Sequence, residues 1–161
     1  MKTIHLLTLM LIGGALYIYV SQNHSADTVE VNDAPPSTSI ALPLSEAAKG
    51  ARVYFVEPMD GSTVTSPVKI VFGLDVMTVA PAGMDEPFSG HHHLLINMDE
   101  LPDMTQPLPA TDSLIHFGKG QTETLIDLPT GTHELQLVLG NYLHIPHSEP
   151  VVSEKITITV E

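Results

Sequence analysis

Two stretches of this chain alternate between apolar and polar residues, and a period of two commits them to half-buried β-strands. In THELQLVLG (132–140), His133, Leu135, Leu137 and Leu139 fall on one face, with Glu134 and Gln136 on the other. In VVSEKITITVE (151–161), Ile156, Ile158 and Val160 alternate with Thr157, Thr159 and Glu161. Five further β-rich runs precede them: ARVYFVEP (51–58), VKIVFGLDV (68–76), HHHLLINM (91–98), SLIHF (113–117) and QTETLIDL (121–128). The 13 prolines and 11 glycines of the chain break the connections into turns. No helical stripe follows residue 26, apart from a turn-like stretch at Ser45–Ala48. Seven short strands separated by turn signals predict an all-β domain over residues 50–161, an immunoglobulin-like β-sandwich, with a small barrel or jelly roll as the competing architecture.

The other end of the chain reads differently. Lys2 precedes an apolar stretch from Ile4 to Val20 that only His5 and Thr8 interrupt. A positive charge before such a run is the pattern of an export signal, and its length lies at the lower limit for spanning a bilayer. Residues 1–26 are therefore expected to be a signal peptide, cut near Ser25-Ala26, or an uncleaved anchor helix; His24 fits a cleavage site poorly. Either way the remainder is expected to be periplasmic or exported, touching the inner membrane only through residues 4–20. Residues 27–49 are polar, carry Pro35-Pro36 and show no period, as a flexible linker does. No internal repeat is visible.

At 161 residues there is room for one domain. Nineteen acids against six bases give a net charge of −13, which argues against nucleic acid as a partner. The absence of cysteine excludes disulfides, thiolate zinc sites, iron–sulfur clusters, cysteine nucleophiles, blue copper and a lipoprotein anchor. The nine histidines outnumber all lysines and arginines.

Their placement carries the functional reading. His5 and His24 belong to the signal and its flank, and His133 opens a strand on its apolar face, as a satisfied rim residue would. If the seven runs are sandwich strands A, B, C, C′, E, F and G, the B–C and F–G loops meet at one end. His91–His93 begin strand C, His116 closes C′, and His144 and His147 lie in the F–G loop, so these six converge there, while His133 lies at the opposite end. His91 and His93, two apart on a strand, point the same way, whereas His92 faces the core with Leu94, Ile96 and Met98. Pro146 stiffens the His144-Ile-Pro-His147 loop. The expected metal ligands are thus His91, His93, His116, His144 and His147, a set suited to copper(II) or zinc; Met84, Asp85 and Glu86 of the B–C loop are supplementary donors. The plainer reading is that loop histidines meet only water or a carbonyl.

The segments VFGLDVMTVAPAG (71–83), SGHHHLLIN (89–97), IHFGKGQTETLIDLP (115–129) and GTHELQLVLGNYLHIPHSEPVVSEKITITV (131–160) resemble the bacterial domain of unknown function 4399. The triple histidine, the HFGKGQTE turn and the HIPH loop occur together and in order; Ser148-Glu149-Pro150 departs from the pattern where a second proline is expected. The resemblance implies an exported protein of Gram-negative bacteria and no settled activity. Three functions stay open: a metal-binding domain, for copper first and zinc second; an envelope interaction or scaffolding module without metal, whose histidines respond to pH; and a zinc-dependent hydrolase. No catalytic residues and no organic cofactor are indicated, since H-E-x-x-H, G-x-S-x-G and phosphate-cradling glycine loops do not occur. The expected partners are a metal ion and other envelope proteins.

Overall fold

A computed structural model describes residues 44–161 and, ahead of them, two short strands, β1 (Leu11–Ile12) and β2 (Ala15–Leu16), which pair antiparallel. The expected signal or anchor helix otherwise falls outside the described residues, as does the linker except for 44–49. Among the described residues no helix is long and apolar enough to cross a membrane.

The seven expected strands are all present: β3 (Arg52–Glu57), β5 (Val68–Asp75), β7 (Ser89–Ile96), β8 (Leu114–His116), β9 (Glu123–Ile126), β10 (Gly131–Gly140) and β11 (Ile156–Val160). Two-residue strands β4 (Thr63–Val64) and β6 (Thr78–Val79) join them through parallel pairing to β11 and β7. The described residues are all-β, and those from 44 onward form two sheets. One has the order β3-β5-β9; the other runs β4-β11-β10-β7-β6, with β8 paired to β7 beside β6.

The sheets face each other across one core. Val53, Val68, Ile70 and Phe72 from the small sheet pack with Leu94, Ile96, Leu135, Leu137, Leu139, Ile158 and Val160 from the large one. The alternation read in the sequence is the cause: Leu135, Leu137 and Leu139 are fully buried on the core face, opposite Ile96, Leu94 and His92 of β7. Strand β7 departs from a half-buried pattern, being buried over its whole length. Its second face is covered too, by a smaller cluster of Leu95, Leu108, Leu114 and Val138. The 97–113 connection supplies Leu108 and lies over the outer side of the large sheet, where Leu108 N–H donates to the His144 carbonyl at 2.9 Å.

The folded unit begins before residue 50. Ala47 and Ala48 pack against the core, Ser148 N–H donates to the Ser45 carbonyl at 2.9 Å, and Asn141 Nδ2 donates to Ser45 Oγ at 3.1 Å. The last strand is shorter than the run that predicts it. Residues 151–155 meet β10 outside the regular ladder, through a Val138–Val152 bridge, Leu139 N–H donating to the Val151 carbonyl (3.0 Å), Ser153 N–H donating to the Leu137 carbonyl (2.9 Å) and the Ser153 hydroxyl accepting from Leu137 N–H (2.8 Å).

Candidate metal centre

The centre is built on the outer face of the large sheet. On β7, His91, His93 and Leu95 share that face, while His92, Leu94 and Ile96 turn to the core. Antiparallel pairing sets His116 of β8 directly opposite His93, so a second imidazole arrives from the next strand. The fourth comes from the loop after β10. There Asn141, itself buried, accepts with its side-chain oxygen from the N–H groups of Leu143 (2.8 Å) and Ile145 (3.1 Å). This local cap winds the loop tightly and places His144 in the left-handed region at φ 66°, an uncommon conformation for a residue with a side chain.

His91, His93, His116 and His144 then offer ring nitrogens that all lie within 4.8 Å of one another. His91 Nε2 and His144 Nδ1 are 3.1 Å apart. Ring centroids are 4.4 Å apart for His116–His144, 4.8 Å for His91–His93, 4.9 Å for His91–His116 and 5.1 Å for His93–His116. Buried polar groups nearly always find a partner. Here His91 Nδ1, both ring nitrogens of His93, and His116 Nε2 are buried without one.

Burial favours the neutral form of His91, His93 and His116. Burial, reinforced by the neighbouring imidazoles, lowers the His91 pKa to about 3 and the His93 pKa to about 2. His116 is lowered as well, first by burial and then by His144.

The other histidines behave differently. His147, expected among the ligands, stands outside the group: it is buried, and its Nε2 lies 3.1 Å from the Ser89 carbonyl as a hydrogen-bond donor. The turn that aims His144 at the cluster directs His147, three residues on, to the β7 backbone. Asp85 and Glu86 are exposed and outside the group, and Met84 is exposed in the same loop. His92 stacks on Phe72 with centroids 4.9 Å apart, as its core-facing parity requires. His133 is a satisfied rim residue, its Nδ1 3.0 Å from Asn97 Nδ2 and its Nε2 2.8 Å from the Pro129 carbonyl. The cluster gathers at the end of the large sheet where β7 begins and β8 and β10 finish, with His133 at the other end of β10, and it lies on the outer face of that sheet.

Fold and site together define a two-sheet β-domain with a four-imidazole cluster held by two adjacent strands and one loop. The chain belongs to the family described as Domain of unknown function (DUF4399), whose model matches residues 70–161 and so takes in all four histidines. No curated protein matches the chain. Among solved structures, the X-ray structure of the endo-beta-1,4-mannanase from Thermotoga petrophila aligns with a TM-score of 0.42 and 15 % identity over 69 % of this chain; the aligned part spans 20 % of that chain.

Proposed function

We propose that this domain binds a divalent first-row transition metal ion, copper(II) in preference to zinc, through His91, His93, His116 and His144. The observation that carries the reading is the convergence of four imidazoles whose ring nitrogens lie within 4.8 Å of one another, several of them buried without a hydrogen-bond partner. An isolated orphaned nitrogen is a cost to the fold; a cluster of them supports a coordination shell. An all-imidazole donor set suits copper, zinc and nickel, and copper(II) heads the affinity order. Because burial holds His91, His93 and His116 unprotonated at neutral pH, binding need not expel protons from them. The net charge of −13 raises the local concentration of cations.

The setting we propose is the cell envelope. Lys2 followed by the apolar stretch 4–20 supports export, and oxidising conditions outside the cytoplasm favour copper(II). The strand order β3-β5-β9 against β11-β10-β7-β8 is that of runs A, B, E and G, F, C, C′, which supports the immunoglobulin-like reading of the sandwich. A hydrolytic zinc site is the weaker reading, because it keeps an open position for water whereas four imidazoles converge here. Elemental analysis of protein purified without an affinity tag tests the proposal. Near-stoichiometric copper or zinc is expected; metal-free protein that also takes up neither ion on titration refutes it.

A further inference from the structure

Two glycines lie against the imidazoles, and neither is there for its backbone. Gly118 and Gly140 are not among the positive-φ glycines of the domain, so an alanine could adopt either conformation. What forbids a side chain is space. A Cβ on Gly118 would overlap Cε1 and Nε2 of His116, and would approach the Ala82 Cβ to 3.3 Å. A Cβ on Gly140 would stand 2.6 Å from His93 Cε1 and 3.1 Å from His93 Nδ1, with the His144 backbone at 3.4 Å. Each glycine thus clears one imidazole of the cluster.

We infer that Gly118 and Gly140 are positioning residues of the metal centre, which keep His116 and His93 in ligating orientation for a copper or zinc ion. The inference rests on the metal-binding reading, yet the two glycines make different demands on the fold. His116 is only partly buried, and the atoms a new Cβ would strike are the far end of its side chain. Its ring can swing aside at little cost to the domain, leaving the cluster as it goes. His93 is fully buried and has nowhere to swing. Gly118→Ala therefore separates ligand placement from folding, whereas Gly140→Ala disturbs both.

The experiment uses the full chain, its Gly118→Ala and its Gly140→Ala variants. Three quantities are measured: the melting temperature without metal, the affinity for Cu²⁺ and Zn²⁺ with the Cu²⁺ electron paramagnetic resonance spectrum, and side-chain nuclear Overhauser contacts between His116 and His144 without metal. Gly118→Ala is expected to melt with the parent, to bind Cu²⁺ about 10- to 100-fold more weakly with an altered nitrogen hyperfine pattern, and to lose the His116–His144 contacts. Gly140→Ala is expected to melt lower; should it fail to fold, Gly118→Ala decides alone. Parent-like affinity and spectrum in Gly118→Ala overturn the inference. If the parent binds neither ion, the metal-binding reading is what fails, and the His116–His144 contacts still decide whether Gly118 holds that ring in place.

Discussion

His92 lies between two clustered imidazoles in sequence but on the opposite face of β7, fully buried against Phe72 with neither ring nitrogen in a hydrogen bond. Burial lowers its pKa from 6.5 to about 4. Between pH 6.5 and 4 the unfolded chain holds a proton that the folded one does not, so stability is intact above 6.5 and falls as the solution is acidified towards 4. The loss from this group alone is on the order of 3 kcal/mol. His92→Phe should remove that share: denaturant melts at pH 7 and pH 5 are expected to differ less in the variant than in the parent. An equal pH difference in both would place the acid sensitivity elsewhere. Leu137, on the same core face from β10, titrates nothing and tests register instead. Leu137→Ala should cost about 2–5 kcal/mol in a denaturant melt, the range for a buried leucine, because its place is fixed opposite Leu94.

Among the elements, period-two runs were legible and their non-local additions were not. Strands β10 and β11 show their buried faces in Leu135, Leu137, Ile158 and Val160, and turn residues delimit the other five. Strands β4 and β6 carry no such pattern. Each is two residues long and exists because β11 or β7 offers a free edge, which depends on the assembled sheet. The same reasoning divides the histidines. The pairing of His93 with His116 follows from strand order, and the shared face of His91 and His93 from strand parity. His147 was not separable from His144 by sequence, because the turn that splits them is set by the Asn141 side chain. The glycine clearances at 118 and 140 were equally hidden, since neither position shows an unusual φ. Asn141 therefore belongs to the site at the level of its loop. Asn141→Ala should leave the Leu143 and Ile145 N–H groups without that acceptor and lower stability by about 1–3 kcal/mol. It should also weaken metal binding by displacing His144; a variant with parent affinity would show that the loop holds its shape without the cap.

At the scale of the molecule, the unit that carries the cluster reaches ahead of residue 50. The sequence marks the domain start at residue 50, where β-rich runs begin, but Ala47, Ala48 and Ser45 contribute small side chains and a backbone carbonyl that carry no period. A protein beginning at Leu44 is thus expected to melt cooperatively, and one beginning at Gly50 to melt several degrees lower, having lost the Ser45 bonds to Ser148 and Asn141. Identical melts would return the boundary to residue 50. Whether the four imidazoles hold an ion is read in thermal melting against free Cu²⁺ at pH 7. An ion that binds only the folded state stabilises by mass action, about 2.7 kcal/mol at a hundred times its dissociation constant. The parent should therefore melt progressively higher as free Cu²⁺ rises, His133→Ala should follow it, and His116→Ala combined with His144→Ala should not respond. A parent melting temperature that tenfold excess Cu²⁺ and Zn²⁺ leave unmoved would contradict the account.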